Sequence, residues 1–293
     1  MYEDIAALFA KRMIQNRDVK AIQFSNGDYV PDFRMKDTMP EHGGSPETSR
    51  HGLGFTMDHL TAHLTGQQTY GHYLLDSNSN ARMFAFDIDL VKENGTYAIP
   101  PGPFKFDPSI TNQQFDEQYQ IFEHLNPRTI WLDRNPATAI PAAREWWKQQ
   151  MMGLVHRFAG GIRDLGLPCA AAYSGGKGVH VYGFTGEMPG EEVRAAADIV
   201  MATLDEFEPL KGKHFFRHKD MSPITGFRNF DVEVFPKQVD LEDKKMGNLM
   251  RLPLGRNQKS QDPTFFLDLK APAAVMRPHP NPAALLESGD PYA

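Results

Sequence analysis

The sequence predicts a mixed α/β fold of the α+β class, with an antiparallel-rich sheet flanked by helices. Apolar residues at helical spacing alternate along the chain with short apolar runs that are typical of buried strands. Two of these runs, 169–173 and 179–184, are joined by a glycine-rich hairpin turn, which favours antiparallel pairing. The chain is 41% hydrophobic and 11% aromatic, the composition of a globular protein with a sizeable core.

The composition excludes several classes of protein. The 20 Phe, 9 Tyr and 14 Met among 293 residues exclude disorder over most of the chain. No apolar run approaches the roughly 20 residues that span a bilayer, and the first residues lack a secretory signal. The single cysteine, Cys169, cannot form an internal disulfide or anchor a multi-cysteine zinc site. We therefore expect a cytoplasmic protein that has no membrane contact and no structural zinc.

The first part of the chain, residues 1–80, is predicted to be an α/β module packed on a larger core. Helical spacing of apolar residues predicts the first element, and alternation around the turn signal Ser25-Asn26-Gly27 predicts a strand pair. Polar residues with Pro and Gly predict the loop that follows. In order, these signals predict a helix over 2–16, a strand pair within 21–30, a loop over 31–52, a turn at 76–80 and a strand over 83–90.

Residues 81–270 are predicted to form the core, with an insertion at about 91–140 and a C-terminal tail over 271–293. The insertion opens on a Pro- and Gly-rich stretch, and a proline suited to a first helical turn follows it at Pro141. Apolar periodicity then predicts a helix over 141–165, strands over 169–173 and 179–184, a helix over 190–207, and strands over 230–235 and 248–254.

The first motif that carries chemistry is the strand Phe84-Ala-Phe-Asp87-Ile-Asp89-Leu90. Residues two apart on a strand point to the same face, so Asp87 and Asp89 project side by side. Adjacent carboxylates repel each other unless a cation lies between them, and their hard oxygens suit Mg²⁺ or Mn²⁺. The alternative is an exposed strand end with two solvated acids. An Asp-x-Asp pair also occurs in sugar-nucleotide transferases.

The second motif is the turn Tyr173-Ser174-Gly-Gly176-Lys177-Gly178-Val-His180 between two apolar strands. Its glycines allow the backbone to approach a ligand closely. A hydroxyl, an ammonium, an imidazole and backbone N–H groups would converge there, as they do in phosphate sites. The order of residues is not that of a Walker A loop. The alternative is a glycine-rich hairpin with incidental polar residues.

The third motif places Asp231 and Glu233 on one face of the strand 230–235 and is followed by Arg251 in an apolar strand. Either acid could add a third carboxylate to the first pair. An unpaired guanidinium in an apolar strand is costly, so Arg251 should meet a carboxylate or a phosphate. An Arg–Glu ion pair across neighbouring strands is the structural alternative.

A basic segment lies in 211–228, although the net charge of the chain is −6. Its aromatic residues are interleaved with basic ones, a pattern typical of surfaces that hold single-stranded nucleic acid. A solvated loop whose phenylalanines face the core is an equally good interpretation. The basic residues are Lys211, Lys213, Arg217, Lys219 and Arg228.

Taken in order, the three motifs resemble those of the archaeo-eukaryotic primase superfamily. The likeness is strongest to the primase domains of TOTE conflict systems and to related primase-polymerases of phages and mobile elements. It also rests on His63-Leu-Thr-Gly66 and Thr69-Tyr-Gly71 before the first motif, and on Phe235-Pro-Lys-Gln238 and Gly247-Asn-Leu-Met-Arg-Leu-Pro253 after the third. The resemblance covers residues 55–270.

The resemblance implies an RRM-like primase core and a DNA primase-polymerase that takes NTPs or dNTPs on a single-stranded DNA template, with a helicase as a candidate partner. It implies two Mg²⁺ or Mn²⁺ ions, which would be held by Asp87, Asp89 and a third acid. Glu233 is preferred for this third ligand, and Asp231 is the alternative. His180 is a candidate catalytic residue, and the nucleotide-binding residues would be Ser174, Gly176, Lys177, Gly178, His180, Asn248 and Arg251. The host compartment would be the cytoplasm of a bacterium, an archaeon or a phage-infected cell.

Two features depart from the family pattern. The third acid has two candidates here, and the zinc knuckle of some relatives has no cysteine cluster to form it. The imidazoles of His59 and His63 share a face of a predicted helix, and we interpret them as structural. Two rival functions remain open: a sugar-nucleotide transferase, which would not require the glycine turn, and a catalytically silent nucleic-acid-binding module, which would not require the acids.

Overall fold

The computed structural model describes residues 2–33, 54–90, 141–219, 230–242, 246–272 and 275–291. Its helices are α1 (Tyr2–Arg12), α2 (Met57–Leu64), α3 (Pro141–Asp164), α4 (Gly190–Thr203) and α5 (Pro282–Ser288). Its strands are β1 (Val19–Gln23), β2 (Tyr29–Phe33), β3 (Thr69–Tyr73), β4 (Asn80–Leu90), β5 (Cys169–Tyr173), β6 (Gly178–Pro189), β7 (Phe207–Lys211), β8 (Phe215–His218), β9 (Phe230–Phe235), β10 (Leu249–Arg251) and β11 (Phe265–Phe266). None of the helices in these ranges is long and apolar enough to cross a membrane.

A seven-stranded antiparallel sheet with the order β11-β5-β6-β4-β9-β8-β7 forms the centre of the molecule. Alternation along β4 sends Phe84, Phe86 and Ile88 to one face, where α3 and α4 cover them. Trp147 and Phe158 of α3 fill this layer, and the rings of Phe86 and Phe158 lie 4.7 Å apart. This face of the sheet is therefore the main apolar core.

The opposite face of the central sheet combines large side chains, such as Tyr182 and Phe184, with small ones. Ala85, Ala170 and Ala172 leave room there for Phe9 of α1 and Leu60 of α2. A second antiparallel sheet, with the order β10-β3-β1-β2, joins the same cluster. Its edge strand β10 comes from far along the chain, so the two sheets are interleaved in sequence.

Glycines mark the places where this packing leaves no room for a side chain. A Cβ atom on Gly183 of β6 would overlap the ring of Phe84 on the neighbouring strand. Gly160 on α3 differs, because a Cβ atom there would have no neighbour within 4 Å. The first glycine is required by packing and the second is not.

The two histidines of α2 have structural roles, because their rings make hydrogen bonds within the fold. The His59 ring accepts the Thr56 N–H in a capping box at the start of the helix. The buried His63 ring accepts from Tyr70 N at 3.2 Å, so its Nε2 carries the proton and donates to the Pro253 carbonyl at 2.8 Å. Burial lowers the pKa of His63 to about 4.

The α+β class and the flanked antiparallel sheet are confirmed. The predicted strands 169–173 and 230–235 match β5 and β9, and the helix predicted over 141–165 matches α3. The strands predicted over 83–90 and 179–184 are both longer in the structure, as β4 and β6. The proposed insertion at 91–140 lies outside the described residues.

Several predicted boundaries are wrong. The helix predicted over 190–207 ends at Thr203, and Phe207 starts β7, from which its ring still reaches Phe158 at 5.3 Å. The helix predicted over 2–16 ends at Arg12, since Asn16 accepts backbone N–H bonds from the turn into β1. The loop predicted over 31–52 is wrong for residues 31–33, because β2 continues to Phe33 as an edge strand; residues 34–52 lie outside the described residues. The strand predicted over 248–254 is only the three residues of β10.

Candidate active site

Four carboxylates lie on one face of the central sheet, where β4 and β9 run side by side. Asp87 pairs directly with Glu233, and Asp89 pairs with Asp231. Side chains of directly paired residues share a face and have Cβ atoms about 4.5–5.5 Å apart. The structure thus brings together the pair from the first motif and both candidates for the third acid.

On β9, the two candidates have different partners. Arg217 donates two hydrogen bonds to Asp231, at 2.7 and 3.1 Å, one to each carboxylate oxygen. Glu233 forms an ion pair with Lys237, whose side chain is 30% exposed. The planar two-point contact occupies both oxygens of Asp231, whereas a flexible lysine contacts one oxygen of Glu233. Glu233 is therefore the more available of the two acids.

On β4, Asp89 is paired and Asp87 is nearly isolated. Lys177 of the glycine turn forms an ion pair with Asp89 and also donates to the Leu90 carbonyl at 2.9 Å. Asp87 Oδ1 is buried and has no hydrogen-bond partner among the described residues. His180 Nε2 lies 3.5 Å from that oxygen, which is beyond hydrogen-bond distance.

Burial and like charges both act on Asp87. Burial, then the charges of Asp89 and Glu233, raise the pKa of Asp87 well above the usual value for an aspartate. His180 offers no compensating charge, because burial lowers its pKa to about 3 and keeps the ring neutral. The Tyr182 hydroxyl lies 3.0 Å from His180 Nδ1, and burial raises the pKa of Tyr182, so this hydroxyl keeps its proton. A tyrosine that donates to Nδ1 leaves the ring proton on Nε2, on the side of Asp87.

The glycine turn is closed by its own hydrogen bonds. Ser174 donates to the Gly178 carbonyl through both its hydroxyl, at 2.9 Å, and its N–H, at 3.1 Å. Tyr173 donates its hydroxyl proton to the Gly176 carbonyl at 3.0 Å. A Cβ atom on Gly178 would overlap the Asp89 carboxylate and lie 2.5 Å from the Ile88 carbonyl. Glycine at 178 thus lets the turn pack directly against the acidic strand.

Arg251 connects this turn to the second sheet. Its guanidinium donates to the Tyr29 hydroxyl at 2.7 Å and to the Ser174 carbonyl. Within the described residues its partners are thus a phenol and a carbonyl, and of the two predicted partners the carboxylate is not among them, while the phosphate stays a prediction. The charge of Arg251 also lowers the pKa of His180.

Asn248 supports the site indirectly. Its side-chain oxygen accepts hydrogen bonds from the backbone N–H groups of Lys237 and Gln238, at 3.0 and 3.2 Å.

Three residues of the site were not predicted from the sequence: Lys237, Tyr182 and Tyr29. Same-face spacing could have identified Tyr182, two residues after His180, but no local signal places Tyr29 on another sheet beside Arg251.

The predicted nucleic-acid-binding segment is only partly described. Lys211 and Lys213 are exposed at the hairpin between β7 and β8. Arg217 contacts Asp231, and Lys219 donates to the Asp205 carbonyl at 2.5 Å. Arg228 lies outside the described residues. Two of the four described cations therefore have partners within the protein.

The oxygen donors at this face suit a hard divalent cation. As they stand, no three His, Cys, Asp or Glu side chains in the described part of the chain are arranged to hold a metal ion. Two of the acids are paired with lysine ammoniums, Asp89 with Lys177 and Glu233 with Lys237. The unpartnered Oδ1 of Asp87 is an oxygen donor of the kind that such a cation binds.

Comparisons with known proteins agree with these motifs. The family model described as "TOTE conflict system, Archaeo-Eukaryotic Primase domain" matches residues 4–288. No curated protein matches the chain. Among solved structures, the chain is similar to the polymerase domain from Mycobacterium tuberculosis Ligase D in complex with DNA, at 12% identity and a TM-score of 0.37. That match covers 99% of this chain and 88% of the other.

Proposed function

The chain belongs to the archaeo-eukaryotic primase domain family of TOTE conflict systems, and from that membership we propose that it is a template-directed DNA primase-polymerase. Membership supports nucleotidyl transfer as the reaction class. The finer assignment is our proposal: primer synthesis and extension from NTPs or dNTPs on single-stranded DNA, with divalent metal ions.

The observation that carries the proposal is the isolated carboxylate of Asp87. Its side chain lies beside two further acids and is 25% exposed, but its Oδ1 is buried and lacks a hydrogen-bond partner among the described residues. A fold keeps such a group only at a cost, because a buried polar atom without a partner costs about 1–3 kcal/mol. A cation bound between the acids would offset that cost, and nucleotidyl transfer needs a cation there.

We infer that Asp87, Asp89 and Glu233 would hold Mg²⁺ or Mn²⁺. When bound, the ions would neutralise phosphate charge and make a 3′-hydroxyl easier to deprotonate. Asp231 is the weaker candidate ligand because Arg217 contacts both of its oxygens.

The side chains around the acids have separate tasks in this proposal. Lys177 exchanges its ion pair with Asp89 for a phosphate of the incoming nucleotide. Arg251, which contacts the glycine turn, binds the same phosphate. His180, neutral and protonated on Nε2, donates to a phosphate oxygen beside Asp87. Positioning and charge neutralisation then account for most of the catalysis, as is usual in phosphoryl transfer.

The test is incorporation of labelled nucleotides on single-stranded DNA, with and without a primer, in Mg²⁺ or Mn²⁺. We expect incorporation by the natural sequence and its loss in Asp87→Asn, Asp89→Asn and Glu233→Gln. Asp231→Asn is the matched control and should keep most of the activity if it folds. Full incorporation by Asp87→Asn would refute the metal assignment.

Two further results would favour the rival functions. DNA binding without incorporation in any metal would favour a silent nucleic-acid-binding module. Hydrolysis or transfer of a sugar nucleotide, with no incorporation, would favour the transferase.

A Lys177→Met variant with an unchanged apparent KM for nucleotide would refute the role of the turn, because a charge-assisted contact predicts a weakening of about tenfold.

A further inference from the structure

A cavity of about 380 Å³ lies behind the glycine turn, on the helix-covered face of the central sheet. Tyr173 of β5 lines this cavity and belongs to the core under α3, whereas its neighbour Ala172 pairs with His180 on the acidic side. The cavity is therefore separate from the four carboxylates. Its volume falls within the range of about 300–1,000 Å³ that is usual for small-ligand sites.

Two hydrogen-bond donors at this cavity have no partner among the described residues. Arg144 and Trp147 of α3 line it, and both Arg144 Nη1 and Trp147 Nε1 are buried without a hydrogen bond. Trp147 is only 1% exposed, so solvent does not satisfy its indole N–H. Buried donors are nearly always satisfied in folded proteins, and two at one cavity indicate a ligand that carries acceptors.

The rest of the wall is mixed: Tyr173 and Phe265 are aromatic, Pro263 and Met276 are apolar, and Asp262 is an acid. Tyr173 lies edge-on to Trp147, with ring centroids 6.4 Å apart, and next to Phe265 at 5.3 Å. Lys148 is a second cation beside Arg144, and a phosphate would have to displace its ammonium from the exposed Glu145, with which it pairs at 2.5 Å. Aromatic faces stack on nucleobases, and cations near them bind phosphates, which is the usual way of holding single strands. Flat rings with two cations thus match one nucleotide.

The cavity also contacts the proposed active site through one residue. The Tyr173 ring forms part of its wall, while the Tyr173 hydroxyl donates to the Gly176 carbonyl of the glycine turn. A molecule bound against that ring would lie next to the backbone of the turn on the side away from the acids.

We propose that this cavity binds one nucleotide of a single-stranded nucleic acid, with the base against Tyr173 and Phe265 and its phosphate at Arg144 and Lys148. The inference rests on the proposed function, since it places part of the template on this chain. A free nucleotide has the same chemistry, and the experiment below separates the two sources.

The first measurement is binding of fluorescent oligo(dT) by anisotropy, in EDTA and without NTPs. Arg144→Gln should weaken binding about tenfold, as loss of a charge-assisted contact predicts. Arg157→Gln is the matched control, because Arg157 lies on the same helix about 20 Å away and pairs with Glu206. Equal affinities of the two variants for oligo(dT) would overturn the proposal. If Arg144→Gln weakened the binding of free dTMP and left the binding of oligo(dT) unchanged, the cavity would be a site for free nucleotide and the proposal would also fail.

The second measurement maps the contact directly and does not depend on a substitution. Ultraviolet cross-linking of an oligonucleotide with 5-iododeoxyuridine should label peptides that contain Trp147, Tyr173 or Phe265. Labels confined to other peptides would overturn the proposal. An incorporation assay separates the two hypotheses: if Asp87→Asn loses incorporation and Arg144→Gln binds oligo(dT) normally, this inference fails while the proposed function stands.

Discussion

Replacing Asp87 by asparagine should make the metal-free protein more stable while it abolishes nucleotide incorporation. Asparagine keeps the shape of the side chain and removes a charge that burial, Asp89 and Glu233 all oppose. Relief of strain at an active site commonly stabilises a protein by about 0.5–2 kcal/mol. For a chain of 293 residues this corresponds to a rise in Tm of about 1–4 °C.

The sign of the effect depends on pH in a defined way. The pKa of Asp87 in the folded protein is raised, so its ionised form destabilises the fold and its protonated form does not. The stability gained by Asp87→Asn should therefore be largest at pH 8 and should shrink as the pH falls towards the usual aspartate value of 3.8. A gain that grew on acidification would contradict the reasoning.

Calorimetric unfolding in EDTA at pH 8 and pH 5 measures this difference, with Asp231→Asn as the control. That control replaces one acceptor oxygen by an amide nitrogen, so it loses one hydrogen bond to Arg217 and the negative charge that strengthens the other. The loss should cost about 1.5–3 kcal/mol, lowering Tm instead of raising it. Two neighbouring acids on one sheet face would thus respond with opposite signs. If both variants lowered Tm equally at pH 8, the isolation of Asp87 would be refuted.

Three further predictions concern other parts of the chain. Lys237→Met should tighten Mn²⁺ binding up to about fivefold in a titration without nucleotide, because its ammonium competes for Glu233 through a partly exposed pair; weaker binding would contradict this. Gly183→Ala should cost about 1–3 kcal/mol in urea unfolding through overlap with a phenylalanine ring, whereas Gly160→Ala on α3 should stabilise by up to about 1 kcal/mol; equal effects would refute the packing argument. His63 stays neutral in the fold, with a pKa of about 4, so the unfolding free energy should fall as the pH drops from 6.5 to 5. That fall should be smaller in His63→Gln, and an unchanged pH slope in that variant would exclude His63 as its source.

It was predictable that the two acids of each strand share one face, because alternation along a strand depends only on the order of its own residues. The register between β4 and β9 was not predictable, since it depends on how segments far apart in sequence come to pair. Without that register, strand alternation alone did not separate Asp231 from Glu233, and the preference for Glu233 rested on the resemblance. Their difference appears only with Arg217 on the neighbouring strand β8.

The prediction failed where tertiary pairing overrides local preference. Residues 204–207 continue the apolar spacing of α4, yet the helix ends before them and Phe207 pairs with His218 in a hairpin. Tyr29 was missed for a related reason: its contact with Arg251 joins two sheets, and nothing in its own segment indicates it. Local periodicity identifies elements, but contacts between them must be observed.

Because the two sheets are interleaved in sequence, their strands can pair only in a certain order while the chain is being translated. Strand β3 leaves the ribosome early, but its pairing partner β10 is made last among the strands of that sheet. At about 5–20 residues per second, β3 waits about 10–35 s with one edge unpaired. Arg251, which joins Tyr29 to the glycine turn, arrives on the same strand. The N-terminal sheet and the candidate active site are therefore completed in one event, and a nascent chain that stops before β10 has neither in complete form.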